Sequence, residues 1–346
     1  MSTTTLASPA PVAATIPKAR FDWIPIVLVA ALALVALPLI GSPSTWVTLT
    51  IAGLAMGMII FIFASGLTLV FGLMDVLNFG HGVFIALGAY LATSVLASMS
   101  DWTTSTVLWR NLVPMFTTMV VAMLLAAAVG WAFELVLVRP VYGQHLKQIL
   151  ITMGGMIIGE ELIKVFWGPT PIPIEMPEAL RGVMTFAVGA ETAAFEKYRL
   201  FATLVGVVVL AVMLFTLNCT KLGLLIRAGV QDREMVESLG YRIRRLFVGV
   251  FVAGSALAGL GGALWGIYQQ AVLPQIGAQV NVLIFIVIII GGLGSTMGCL
   301  VGALLVGLMA NYIGFLAPKV AMFSNIGLMV LVLLWRPQGL YPVANR

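Results

Sequence analysis

Apolar runs of roughly 20 residues recur along almost the whole chain, and this most constrains the fold. A helix needs about 20 apolar residues to cross the ~30 Å hydrocarbon core, where no water can satisfy a stray backbone N–H or C=O. With Gly, Pro and charge as punctuation, the runs fall near residues 23–40, 46–70, 83–99, 112–138, 148–167, 200–217, 246–268, 280–293, 297–315 and 320–335. These ten candidates leave no room for a sizeable soluble domain. The expected fold is all-α, a polytopic membrane helical bundle of about 8–10 transmembrane helices. Composition agrees, with 61% hydrophobic residues, 9% charged and a mean hydropathy of +1.10.

Residues 1–20 are rich in Ser, Thr, Ala and Pro and end on Lys18 and Arg20, which reads as a flexible cytoplasmic tail before a signal-anchor helix. Residues 21–346 then form a single transmembrane domain. With the N-terminus inside, 12 of the 18 Lys and Arg fall in inner segments, five in outer segments, and Lys164 within a run. That positive-inside bias predicts both termini in the cytoplasm. It also accounts for the distribution of the net +5 charge without nucleic acid. The largest outer loop, residues 168–199, carries Pro169, Pro171, Pro173 and Pro177. It is expected to be stiff and extended, with a short apolar stretch after Arg181 on the outer surface, serving either as a connector or as a landing place for a partner. Cys219 and Cys299 are expected to be unpaired thiols.

Glycines at helical spacing (Gly53 with Gly57, Gly155 with Gly159, Gly262 with Gly266, Gly294 with Gly298 and Gly302) predict backbones packed closely within one bundle. Two glycine-punctuated segments interrupt the apolar pattern, near 75–82 and 291–296, and predict broken or re-entrant helices. The first holds Asn78, Gly80, His81 and Gly82; the second holds Gly291, Gly292, Gly294 and Ser295. A cut after the fifth run leaves two five-span halves of opposite orientation, a possible inverted repeat with one such break in each half.

The longest inner stretch runs from Lys221 to Arg245. Asp232 suits a helix N-cap, Glu234 complements the first-turn dipole, and Gly240 suits a left-handed stop after Leu239. A helix of about two turns is marginal alone in water and needs a surface to rest on. Met235, Val236 and Leu239 give it an apolar edge, for a partner or for its own bundle.

Some chemistries are excluded. No Gly-x-x-x-x-Gly-Lys-Ser/Thr occurs, so the chain carries no phosphate-cradling loop of that type for ATP. The two histidines and two cysteines have no metal-ligand spacing, and no nucleophile stands beside a base. Catalytic residues, metal ligands and a resident cofactor are therefore not expected.

Several motifs, taken in order, carry a resemblance: Gly66-Leu-Thr-Leu-Val-Phe-Gly72, Leu77-Asn-Phe-Gly-His-Gly82, Gly88-Ala-Tyr90, Gly223 to Gly240 with Arg227-Ala228 and Gln231-Asp232, Ala256-Leu-Ala-Gly259, Gly291-Gly-Leu-Gly-Ser295 and Arg336-Pro-Gln-Gly-Leu340. Together they resemble the permease subunits of branched-chain amino-acid ABC importers, most of all the smaller of the two. The resemblance implies an inner-membrane importer built with a second homologous permease, two cytoplasmic ATPases that bind the ATP, and a soluble substrate-binding protein outside. It also implies that Arg227, Gln231, Asp232, Glu234, Met235, Leu239 and Gly240 form the coupling element that sits in a groove of the ATPase. Glu234 and Gly240 keep the spacing of that element, while Met235 and Val236 replace its usual alanines.

Asn78 and His81 then belong either to a hydrogen-bonded knot that fixes the break or to the pathway. Glu160 is expected to pair with Lys164, four residues on, and Glu134 with Arg139 or water. Two other functions fit the residues: a urea or short-amide permease of the same family, and an ion-coupled carrier in which a buried acid carries a proton.

Overall fold

The computed structural model describes residues 22–342 apart from 189, 190 and 232. The expected tail, the last four residues and Asp232 lie outside the described residues. Each of the ten apolar runs is a helix: α1 (Ile24–Ile40), α2 (Pro43–Met74), α3 (His81–Ser98), α5 (Leu108–Phe133), α6 (His145–Trp167), α7 (Lys197–Cys219), α10 (Ile243–Gln269), α11 (Ile276–Gly291), α12 (Thr296–Leu316) and α13 (Ala321–Trp335). Shorter helices are α4 (Ser100–Thr103), α8 (Lys221–Gln231) and α9 (Arg233–Ser238). Among the described residues six helical segments, Leu108–Val141 one of them, are long and apolar enough to cross a membrane. The chain is a multi-pass membrane protein.

The connections sort onto two faces. On one, Arg336 pairs with Asp22 (2.6 Å), the Tyr341 hydroxyl donates to the Asp22 carbonyl (2.7 Å), and His145 lies 3.7 Å from Asp75. This terminal face gathers both ends of the described chain, as an even number of crossings requires. On the opposite face Ser42 and Ser44 donate to Glu191, Glu178 N–H donates to Thr103, and β1 (Ile172–Pro173) pairs with β4 (Ala271–Val272).

That second face adds a partner to one expected segment. The apolar stretch after Arg181 is β2 (Val183–Val188), largely exposed and paired antiparallel with β3 (Glu191–Glu196). The hairpin is tied to the start of α2 through Glu191 and through Ala194 N–H to the Thr48 hydroxyl. Two serine hydroxyls donating to Glu191 hold its carboxyl below the usual range.

The two halves pack as inverted counterparts. α2 lies along α12 as α10 lies along α5; α3 packs on α5 and α6 as α11 packs on α12 and α13. Where the halves meet, glycine replaces side chains. A methyl on Gly66 would run into the Gly254 carbonyl, and one on Gly254 would meet the Gly66 carbonyl oxygen at 2.7 Å. The sequence pattern matched the 78–82 break with 291–295, and here the structure differs. The counterpart of 75–80 is 270–275, because each follows the long second helix of its half and leads into a short third one. Residues 292–295 are instead a turn between α11 and α12. It is packed on α2 through Gly294 against Gly72 and capped by the C-terminal segment, whose Leu340 and Tyr341 N–H groups donate to Ile290 and Gly291.

Candidate functional site

Two places concentrate the residues singled out by sequence. The first is the double break. α2 is 32 residues and α10 27, about 48 and 40 Å at 1.5 Å per residue, so both outreach a ~30 Å hydrocarbon core. Each ends on a non-glycine residue in the left-handed region, Asp75 (φ 54°) and Gln270 (φ 57°). Six residues follow, 75–80 and 270–275, before α3 and α11 begin. Those helices start from opposite faces, yet their first turns touch: a methyl on Gly82 would strike the Gly277 carbonyl, and one on Gly277 the Gly82 carbonyl. Both connections therefore fold back toward the middle of the bundle.

Protein groups close this junction. Asn78 Oδ1 accepts from Gly80 N–H at 3.0 Å, and His81 Nε2 lies 3.0 Å from the Phe63 carbonyl. A carbonyl can only accept, so the ring proton sits on Nε2. Phe79 is clasped from both sides. Its N–H donates to the Thr152 hydroxyl (3.1 Å), its carbonyl accepts from Asn281 Nδ2 (2.8 Å), and its ring stacks on Phe285 at 4.6 Å. Asn78 and His81 are both buried, and Asn78 Nδ2 and His81 Nδ1 have no partner among the described residues. The space beside Gly82 and Gly277 is about 10 Å³, at most one water. This junction is a weld of protein groups, backbone against backbone at Gly82 and Gly277 and clasped at Phe79.

Thr152, Gly277, Phe285 and Asn281 were missed by sequence reasoning. A lone Asn in the run Val280–Ile290 was the available signal, since an amide there must find a partner inside the protein. Gly291, Gly292, Gly294 and Ser295 do not join this junction. Gly292 (φ 99°) and Gly294 (φ 82°) shape the α11–α12 turn, and Ser295 caps α12 by accepting from Gly298 N–H.

The intramembrane acids find local partners. Lys164 pairs with Glu160 at 3.7 Å as expected, but more closely with Glu161, at 2.7 Å. Glu134 is buried and accepts from the Tyr142 hydroxyl at 2.6 Å, a partner brought round by the π-helical turn Glu134–Val138. No bond links it to Arg139 among the described residues.

The second place is the shelf on the terminal face. Thr220 turns the chain from α7 into α8, and Gly223 allows the sharp approach, since a methyl there would strike the Leu217 carbonyl. Arg227 reaches back to Asn218 at 3.5 Å, and Gln231 ends α8. α9 holds Glu234 and Met235, and Gly240 (φ 86°) supplies the expected left-handed stop. The apolar edge divides. Val236 is 2% exposed and turned into the bundle, whereas Met235 at 51% and Leu239 at 68% face outward, with Leu222 and Leu224 of α8 exposed too. Exposed apolar groups on a short helix beyond the spans are an expensive arrangement for a chain acting alone.

The family model for branched-chain amino acid transport system permease components matches residues 49–334, which include both breaks and the shelf. The chain belongs to that family. This permease is 28% identical over 293 residues to the high-affinity branched-chain amino acid transport system permease protein LivH of Escherichia coli K12, spanning 83% of the chain and 92% of LivH. It is 27% identical over 295 residues to BraD of Pseudomonas aeruginosa, spanning 83% and 93%. To LivM of E. coli K12 it is 28% identical over 315 residues, covering 83% of the permease but 69% of LivM. No solved structure matches it.

Proposed function

We propose that the chain is the membrane permease of an ABC importer for branched-chain or related amino acids. In this reading it sits in the bacterial cytoplasmic membrane with both termini inside, beside a second homologous permease. Two separate ATPases drive it and an external substrate-binding protein feeds it. The family match over residues 49–334 is the observation that carries the reading. The likeness to both LivH and LivM supports a paired arrangement, because two permease proteins of E. coli K12 match this one chain. The closed weld at Gly82 and Gly277 supports a solute route along the boundary with the second permease and not through this bundle. Asn78, Gly80, His81 and Gly82 are then a structural break that holds the halves together. The shelf, with Arg227, Gln231, Asp232, Glu234, Met235, Leu239 and Gly240, is the surface that takes up the ATPase stroke. The hairpin β2–β3, with Val183, Met184 and Phe186 exposed, suits contact with the binding protein.

The test is reconstitution. Purified with its partners into proteoliposomes, the complex is expected to accumulate leucine, isoleucine or valine only with ATP and the binding protein present. Uptake by this chain alone, driven by a proton gradient without ATP, would overturn the reading. A binding protein that captured urea or short amides and no branched-chain amino acid would replace its substrate while leaving its mechanism.

A further inference from the structure

A second feature of the shelf is independent of what the chain transports. α7 leans on α2 but barely touches α10, and between them, walled by α5 and floored by α8 and α9, lies a cleft of about 940 Å³. Its wall is apolar through the depth of the bundle: Leu73 on α2, Met119 on α5, Val209 and Met213 on α7, Leu246 and Val250 on α10. At the terminal-face end the lining changes to Tyr241, Arg242 and Arg245, all exposed. Among the described residues neither arginine makes an ion pair and no carboxylate lines the cleft.

We propose that this cleft is a site for one anionic phospholipid of the leaflet on the terminal face. Its acyl chains lie against the apolar wall and its phosphate rests on Arg242 and Arg245. Three observations converge on that occupant. Protein interiors pack to crystal-like density, so a void of this size in a membrane chain must be filled, and an apolar lining does not hold water. The filler has to be apolar over most of its length and anionic at one end, in register with the two cations at the membrane boundary. Basic side chains at such a boundary select anionic over zwitterionic headgroups. The lipid would act as the missing packing between α7 and α10 and so brace the shelf against the core.

Gly249 lines the cleft and a Cβ built there meets nothing within 4 Å, so Gly249→Trp is the reporter, with circular dichroism of the variant checked against the unsubstituted protein. Full-length Gly249→Trp protein is reconstituted into phosphatidylcholine vesicles doped with phosphatidylglycerol carrying brominated acyl chains, then into vesicles in which only the phosphatidylcholine is brominated. The quenching of the introduced tryptophan, taken as the difference between the variant and the unsubstituted protein with its eight tryptophans, is expected with brominated phosphatidylglycerol at mole fractions roughly ten- to thirty-fold below those needed for phosphatidylcholine. Arg242→Ala with Arg245→Ala is expected to erase that preference while circular dichroism stays unchanged. Native mass spectrometry of the unsubstituted protein, released from mixed-lipid vesicles, is expected to show one retained phosphatidylglycerol. Equal quenching by both lipids would overturn the proposal. So would a preference that survives loss of both arginines, or a cross-link from a cysteine at Ala253 to a partner permease helix, which would make the cleft a protein interface.

Discussion

The core and the shelf of this permease are built on opposite principles, although both lie in a chain of nearly uniform apolarity. In the core, backbones touch. Gly66 faces Gly254, Gly82 faces Gly277, Gly262 faces the Ile85 carbonyl, and Gly53 and Gly57 take the backbone of α12. Lipid gives helices no hydrophobic push toward each other, so close van der Waals approach and hydrogen bonds must hold them, and glycine permits both. In the shelf, α7 to α9 hang from the core through α2, leaving a cleft on one side and exposed Met235 and Leu239 on the other. One region has a single arrangement available to it. The other faces α10 of the core across a cleft and barely touches it, so it can shift against the core, which is what a part that receives mechanical work from outside needs.

The contrast breaks most directly at its glycines. Gly82→Leu should prevent recovery of a monodisperse protein in detergent, because the new side chain would occupy the space of the Gly277 backbone; overpacking a site that cannot yield costs about 3 kcal/mol or more. Gly249→Leu, where an added Cβ meets no protein atom within 4 Å, should leave yield and thermal midpoint within the scatter of the unsubstituted protein. Equal damage from both would mean that the two regions do not differ in packing as described.

The next largest effect should fall on assembly and spare the fold. Glu234→Arg with Gly240→Pro reverses a charge and forces φ to about −65° at a residue held at +86°. Co-purification of the ATPase and ATP-driven uptake should fall at least ten-fold, while the isolated permease keeps its size-exclusion profile. Intact transport in that variant would remove the shelf from the coupling role.

Much of this contrast is legible in the sequence, and the reason is physical. Length and hydropathy report on the bilayer, so all ten runs appear as helices with ends within about five residues of expectation. Gly240 is legible because a left-handed stop has a residue signature. Pairing across the halves is not, because Gly277 and Gly291 look alike until a partner backbone is set against each. The hairpin 183–196 is hidden for a related reason: Val183 to Val188 becomes a strand only when Glu191 to Glu196 lies beside it. Glu134 illustrates a third kind of miss. A π-helical turn shifts the register by one residue, so spacing rules that point to Arg139 no longer apply, and Tyr142 becomes the partner.

A smaller effect should mark the clasp on Phe79. Asn281→Ala removes the donor to the Phe79 carbonyl and leaves that carbonyl dependent on other groups, which should lower stability by about 1–2 kcal/mol. A shift in the thermal midpoint without loss of assembly would agree. No shift would mean that the stacked Phe79 and Phe285 rings and the Thr152 hydroxyl suffice to hold the break.

The smallest effect should come from the clamp between the chain ends, and its pH dependence identifies it. Arg336 donates to Asp22 at 2.6 Å and the Ile24 N–H at 3.0 Å, and these bonds hold the Asp22 carboxyl below its usual 3.8. A depressed carboxyl stabilises the fold above the unfolded value and ceases to do so as pH falls through the folded one. At neutral pH Asp22→Asn should therefore be slightly less stable than the unsubstituted chain, by little, since the pair is partly exposed and screened. As the pH falls below 3.8 the two thermal midpoints should converge, because protonation removes from one protein what substitution removed from the other. A gap that widened in acid would assign the difference to packing at the start of α1 and not to charge. That outcome would weaken the case that the terminal face is locked by Asp22 and Arg336 while the shelf beside it stays free.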